Sequence, residues 1–252
     1  MIDVQTVKCP DCGHSFDFAS YVGEELLNNG LRLTKRSVQR TSWEELSREA
    51  GDGRVALCLD IGDTLEFELK NGQRVSVEVA ALNPYGNGAV LSFSNVLKDY
   101  RMNRTDTNRG GWCECDMADY LEKEIIPLLP DDLAEYIVPR KIVQKQGDKT
   151  YERECKLWLP SYTEVFGFHD RYSQCDVGDV RFPLFETRRG RTKYTLDDGW
   201  SYWWLRSPYV GNSANFWFVY ASGGYGYNGY ASNVYGVCPC FIIGKLPDNE
   251  VA

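Results

Sequence analysis

A chain of 252 residues, 43% hydrophobic and 25% charged, has the composition of an ordinary globular protein with room for one large domain and a small appendage. Its formal net charge of −8 argues against nucleic acid as the main partner, because phosphate contacts need a basic surface, and against adsorption to anionic membranes. No stretch approaches the ~18 apolar residues of a membrane span, and residues 1–10 lack a basic-then-apolar leader pattern. These features predict cytoplasmic synthesis without a signal peptide and no membrane insertion. The nine cysteines show no disulfide-framework spacing, so most are expected to be small buried apolar groups.

Residues 1–40 differ from the rest and are assigned to an N-terminal knuckle and arm. Cys9-Pro10-Asp11-Cys12-Gly13-His14 forms a C-x-x-C turn, followed by Arg32, Lys35, Arg36 and Arg40. Leu26, Leu27, Leu31 and Leu33 suggest an arm that docks elsewhere. A C-x-x-C turn is half of a zinc site, which makes Cys9 and Cys12 candidate zinc ligands. His14, Cys113 with Cys115, or a second chain are open as sources of the remaining ligands. A redox pair or a vestigial knuckle are the other readings.

Residues 41–252 are predicted to form one α+β domain. Ser42 and Glu45 have capping-box spacing and start a helix. Thr64–Leu69 and Val75–Val79 alternate with period two around the turn signal Asn71-Gly72, which predicts a hairpin. Ala89–Phe93 reads as a third strand. Residues 116–126 switch to helical spacing, with Met117, Leu121 and Ile125 on one face, and Pro127 and Pro130 end that helix. Asp131 is placed to cap a second helix carrying Leu133 and Ile137. Ser161 and Glu164 form another capping box before a short helix.

Residues 207–240 contain no Lys, Glu, Asp, Gln, His or Met. Tyrosine, glycine, asparagine and serine take their place, which is the composition of a paratope: large amphipathic contact area at low entropic cost, with adaptable hydrogen bonding on loops. The candidate ligand-binding residues are Tyr209, Asn212, Asn215, Phe216, Trp217, Tyr220, Ser222, Tyr225, Tyr227, Asn228, Tyr230, Ser232 and Asn233. The competing reading is a low-charge region whose tyrosines pack on the core. In the flanks, Trp203 and Trp204 point to opposite faces of a strand, so one or both anchor the core. Arg206 is expected to pair with a buried carboxylate, and Gly236–Phe241 reads as a scaffold strand.

Several short blocks carry a resemblance. They are Ile61-Gly62-Asp63, Tyr100-Arg101-Met102-Asn103, Thr105-Asp106-Thr107-Asn108, Gly110-Gly111-Trp112 and Glu164-Val165-Phe166-Gly167. Trp203-Trp204-Leu205-Arg206-Ser207-Pro208 and Tyr235-Gly236-Val237 with Pro239 and Phe241 complete the set. Together, over residues 41–245, they resemble a domain family of unknown function from gut bacteria and their phages. That family is similar to the C-type-lectin-like fold in its formylglycine-generating-enzyme-like branch. Some members are variable proteins of diversity-generating retroelements, in which adenines of the C-terminal coding segment are rewritten. Randomised AAC or AAT codons yield Asn, Tyr, Ser and Gly among others but never Lys, Glu, Gln, Met or Trp. The composition of 207–240 fits that filter apart from Trp217. The resemblance implies a C-type-lectin-like fold and a non-enzymatic binding protein of the variable or phage receptor-binding type. Its partner would be a protein or cell-surface glycan, with virion or cell-surface placement by a non-classical route left open.

Other chemistries compete. Cys238-Pro239-Cys240 raises a copper-dependent oxidase of the formylglycine-generating type, although core-facing cysteines two apart on a strand are the blander reading. A structural assembly module is the third. His14 and His169 are the only histidines and neither lies in a nucleophile or metal motif. Asp197-Asp198 suits a turn better than calcium, which needs about six to eight oxygens. The glycines at 223, 224, 226 and 229 do not open a helix as a phosphate loop does.

Overall fold

The computed structural model describes residues 42–244 except 87, 170 and 196–198, together with the backbone of two short strands, β1 (Thr6–Lys8) and β2 (Ser15–Asp17). The proposed zinc ligands Cys9, Cys12 and His14, the leucine arm and the pair Asp197-Asp198 lie outside the described residues.

The architecture is mixed α and β, mostly sheet with few, short helices. α1 (Trp43–Gly51) begins at the capping box: the Ser42 hydroxyl accepts from Glu45 N at 3.1 Å, and the Glu45 carboxylate accepts from Ser42 N at 3.1 Å. It buries Leu46 and Ala50, one turn apart. A single turn, α2 (Val55–Cys58), leads into the hairpin of β3 (Thr64–Glu68) and β4 (Arg74–Leu82). Gly72, at φ 85°, supplies the left-handed residue that this turn requires. β5 (Ala89–Phe93) pairs with β4 and is buried on both faces, which explains why four of its five residues are apolar. β6 (Lys98–Tyr100) follows at once but belongs to another sheet.

α3 (Asp116–Tyr120) continues as a π-helical turn over Leu121–Ile125 and buries Met117, Leu121 and Ile125. Asp131 opens only a single turn, α4 (Asp131–Ala134). The expected second helix stops there, and Ile137 sits instead on β7 (Ile137–Val138), pairing with Ile243. Next comes a hairpin that hydrophobic periodicity did not reveal, β8 (Arg140–Gln146) with β9 (Lys149–Cys155). The buried positions of β8 hold Arg140, Ile142 and Gln144, so its alternation is hidden behind polar residues with partners. α5 (Tyr162–Phe166) carries the second capping box. β10 (Asp176–Val177) extends the β8–β9 hairpin, and α6 (Arg188–Arg191) precedes the ribbon of β11 (Lys193–Tyr194) and β12 (Trp200–Ser201).

The C-terminal segment is built mainly from strands rather than loops: β13 (Trp203–Pro208), β14 (Asn215–Val219), β15 (Gly226–Tyr230), β16 (Tyr235–Val237) and β17 (Cys240–Ile243). The expected Gly236–Phe241 strand is two strands. Pro239 has no N–H to give to a ladder, and at Cys238-Pro239 the chain passes from one five-stranded sheet to the other. The first sheet has the order β3-β4-β5-β17-β7 and the second β15-β14-β13-β16-β6. β5 pairs with β17 in one and β6 with β16 in the other. Two continuous stretches of chain therefore cross together and seam the sheets. Phe93 N donating to Pro239 O at 3.0 Å and Leu97 N donating to Val237 O at 3.0 Å close the seam.

Candidate functional site

The second sheet holds every candidate contact residue or the turns beside it. Strand alternation sorts them. Trp204, Phe218 and Tyr227 lie in register across β13, β14 and β15, so they form one cross-strand aromatic row on one face. Phe218 is 4.7 Å from Tyr235, which is 5.8 Å from Tyr202, centroid to centroid. Tyr202 meets Tyr220 edge-on at 4.9 Å, and Tyr220 stacks on Tyr225 at 4.8 Å. At the other end Asn233 Nδ2 donates to Tyr235 Oη at 3.1 Å. Gly229 makes room for that ring: a Cβ there would stand 3.1 Å from Tyr235 Cε2.

The result is a tyrosine platform running from Asn233 to Tyr225, with Lys98 of β6 opposite Val237 on the same face of the sheet. Tyr225 and Tyr227 are 51% and 57% exposed, and Tyr202 36%, so their rings face solvent although apolar partners flank them. Tyr220, Tyr235 and Asn233 are half-buried. Tyr202 was not among the sequence candidates; it alternates with Trp204, and the period-two rule applied backwards from Trp204 finds it.

Three candidates are not contact residues. β14 lies between β13 and β15, and all five of its residues are buried. Phe216 is wholly buried. Trp217 turns to the opposite face, where Tyr162, Tyr172 and Tyr209 enclose it at 4.8, 5.0 and 5.1 Å. Asn215 is buried beside it and donates to Asn228 Oδ1 at 2.7 Å. Tyr230, 53% exposed, also lies on that second face, at the sheet edge. Asn212 is exposed, while Ser222 and Ser232 are half-buried in turns.

The turns are held from outside. Asn108 Nδ2 reaches the carbonyls of Tyr209, Asn212 and Asn215 at 3.1, 3.0 and 2.8 Å. Asp106 accepts from Ser232 N at 3.1 Å, and Asn103 N donates to Ala231 O at 2.9 Å. Arg188 Nε donates to Ser222 O, and Arg191 Nε to Gly223 O. The loop bearing Asn103, Asp106 and Asn108 is fixed by Gly111, at φ 57°, where a Cβ would meet Gln144 Oε1 at 2.2 Å. That oxygen accepts from Trp112 N at 2.6 Å. A cleft of about 550 Å³ opens between this loop, Gln146, Gln174 and the Tyr209–Val210 turn.

Beneath the platform Arg206 pairs with a buried carboxylate, and with more than one. Arg206 and Arg140 each bond both Glu164 and Asp179, forming a closed ring of two guanidiniums and two carboxylates. Glu164 also accepts from Tyr85 Oη at 2.7 Å and from Ser161 N at 2.8 Å, so the α5 cap and the ring are one structure. Burial pushes the Glu164 carboxyl up, but Arg206 and Arg140 more than offset it and hold it down at about 2. Asp176 adjoins the ring with only neutral partners, Ser207 Oγ at 2.7 Å and Thr163. Burial, then the charge of Asp179, pushes it up to about 7.

Trp203 and Trp204 are both wholly buried, their Nε1 atoms donating to Arg191 O and Tyr100 O at 2.9 Å. Cys238 and Cys240 lie on either side of the sheet crossing, wholly buried, and burial pushes each thiol up to about 12. Among the described residues no group of three or more His, Cys, Asp and Glu is arranged to hold a metal ion. No described helix is long and apolar enough to cross a membrane.

Comparison with known proteins gives one match. No curated protein and no solved structure matches the chain. The matched region, residues 86–245, takes in the Asn103–Trp112 loop, the ion ring and the whole tyrosine sheet, but not the β3–β4 hairpin or the Ile61-Gly62-Asp63 block. The chain belongs to the family described as Domain of unknown function (DUF6273), whose model covers those residues.

Proposed function

We propose that this is a non-enzymatic ligand-binding protein and that the tyrosine platform of the second sheet is its contact face. One observation carries the reading: Tyr202, Tyr225 and Tyr227 are exposed on one aromatic network, Tyr202 and Tyr225 joined through Tyr220 and Tyr227 through Phe218, and residues 207–240 carry no charged side chain. A contiguous exposed aromatic surface marks an interaction site, and tyrosine loses little side-chain entropy when it binds. The partner is a protein or a cell-surface glycan.

The scaffold is read as a C-type-lectin-like domain of the formylglycine-generating-enzyme-like branch, and the chain as a diversity-generating-retroelement variable protein or a phage receptor-binding type. The motif blocks and the composition of 207–240 support this. So does the exposure of Tyr225, Tyr227 and Tyr230 while Phe216 and Trp217 are inside. The oxidase reading gains no support from the placement of Cys238 and Cys240, which are wholly buried on either side of the sheet crossing.

The test uses fluorescently labelled protein on intact gut bacteria and on an array of bacterial and host glycans. A Tyr202→Ser, Tyr225→Ser, Tyr227→Ser variant should lose binding while keeping its circular dichroism and melting temperature. Binding equal to that of the parent chain would place the contact face elsewhere. The retroelement reading is tested in the neighbouring DNA. It requires a reverse-transcriptase gene and a near-copy of the 3′ coding segment that differs at adenines.

A further inference from the structure

β15 is the last strand of the second sheet and pairs only with β14. Tyr220 N donates to Tyr225 O and Ala231 N to Ala214 O, both in the β14–β15 register. Antiparallel ladders alternate, so Tyr227 and Gly229 point their backbone groups at β14. Gly226, Asn228 and Tyr230 then point theirs outward. Of these outward groups only Tyr230 O has a partner among the described residues, Asn233 N at 2.9 Å.

Edge strands are normally blunted by lysine, proline, a bulge or a covering element. Gly226-Tyr227-Asn228-Gly229-Tyr230 has no charge, no proline and no register shift against β14. Its order is also self-complementary. Laid antiparallel on a second copy about an axis through Asn228, each Tyr227 falls opposite Gly229 of the partner subunit, and each Tyr230 opposite Gly226 of the partner subunit. Every large side chain meets a glycine. The hydrogen-bonding phase agrees, because that register matches outward residues only with outward residues.

We propose that the free edge of β15 binds the β15 edge of a second copy of this chain, joining two five-stranded sheets into one ten-stranded sheet. Directly opposed residues share a face. Tyr227 would therefore land beside Tyr235 of the partner subunit, which covers Gly229 there. Tyr230 would land beside Tyr162 and Phe166 of the partner subunit, which crowd Gly226 at 3.0 Å from a notional Cβ. The two tyrosine platforms become one surface across the dyad, so a repetitive ligand meets two sites. The pairing does not depend on what the platform binds.

Sedimentation velocity from low to high micromolar concentration should show a dimer. Asn228→Lys places two ammonium groups face to face on the axis and should weaken it about tenfold or more. Asn228→Ala loses the same Asn215 contact without the charge and should remain dimeric, which separates edge repulsion from damage to the fold. Asn228→Cys should form a disulfide-linked dimer under mild oxidation, since hydrogen-bonded antiparallel pairs hold Cα atoms about 5.5 Å apart. Asn212→Cys, exposed but off the edge, should not. A monomer throughout the range, a dimer that survives Asn228→Lys, or an Asn228→Cys variant that does not cross-link would each overturn the proposal.

Discussion

Replacing Arg206 by methionine should be among the most damaging single substitutions in this domain. Arg206 is 1% exposed and bonds Glu164, Asp179 and Leu159 O. Its loss leaves Glu164 and Asp179 sharing Arg140 alone, with one negative charge uncompensated in the interior. Breaking such a group by removing one partner costs about 3–5 kcal/mol. The charge can instead be neutralised by taking up a proton, and this limits the cost. Protonating an ordinary carboxylate costs about 4–5 kcal/mol at pH 7.5 and about 1–2 kcal/mol at pH 5. The loss should therefore be about 4 kcal/mol at pH 7.5 and shrink by about 3 kcal/mol at pH 5. Urea unfolding followed by tryptophan fluorescence at both pH values measures it. Against a typical total of about 5–15 kcal/mol the effect is large. Arg206→Lys, which keeps the charge but not the fork, should fall between. A loss under about 1 kcal/mol at pH 7.5, or an equal loss at both pH values, would refute the closed ring as the source of stability.

The same ring sets the pH profile of the parent chain. Glu164 falls from an ordinary 4.5 to about 2 on folding, so its contribution, about 3 kcal/mol, is present above pH 4.5 and lost as pH falls towards 2. Asp176 rises from 3.8 to about 7, and burial also raises Asp179, so these two bind protons more tightly folded and stability falls as pH rises through that window. Urea midpoints should peak near pH 4, where the Glu164 gain and the Asp176 loss balance, and decline on both sides; a midpoint still rising from pH 5 to 8 would contradict the Asp176 assignment. In a separate series, Asn108→Ala removes the contacts to three carbonyls and should cost about 2–3 kcal/mol, whereas Ser222→Tyr and Ser232→Tyr should stay within about 0.5 kcal/mol. Equal losses at all three positions would mean that the turns are held by their side chains.

What the sequence disclosed depended on whether the burial signal was carried by apolar residues. Capping boxes at Ser42 and Ser161 are local chemistry, and both form where the spacing places them. The β3–β4 hairpin announces itself because Leu65, Val77 and Val79 alternate with polar neighbours around Asn71-Gly72. The β8–β9 hairpin has an equally regular ladder, yet Arg140 and Gln144 occupy its buried positions, so no apolar alternation exists to be read. That Arg206 has an acidic partner was legible, but Glu164 lies 42 residues away and Asp179 27, and only the fold brings them together. In the tyrosine segment the composition indicated recognition, while the faces did not emerge until strand registers were known. Aromatic residues occur on both faces of β14, and only the packing of Tyr162, Tyr172 and Tyr209 against Trp217 decides that it is inside while Tyr227 on the other face is outside.

How the turns are tied down bears on why such a sheet would suit recognition. Apart from the side-chain bond between Tyr202 and Tyr220, the described hydrogen bonds that reach the 209–215, 220–225 and 231–234 turns from residues outside 207–240 end on main-chain atoms. Asn108 takes three carbonyls and its own N–H a fourth, Ser213 O. Arg188 and Thr192 take Ser222 O, Arg191 takes Gly223 O, Asp106 takes Ser232 N and Asn103 takes Ala231 O. A main-chain grip is indifferent to which side chain the gripped residue carries. Substitution at turn positions other than Asn212, whose Oδ1 accepts from Ala214 N, then changes the surface without removing a side-chain bond to the backbone. The gripping residues fall in two places, on α6 and its C-cap Thr192 and in the Asn103–Trp112 loop, whose own course is fixed by Gly111 against Gln144. Constraint and variation are thus assigned to different stretches of chain. The domain can keep its fold while the exposed positions on and around the platform change, which is the physical requirement for a scaffold that displays diverse contact surfaces.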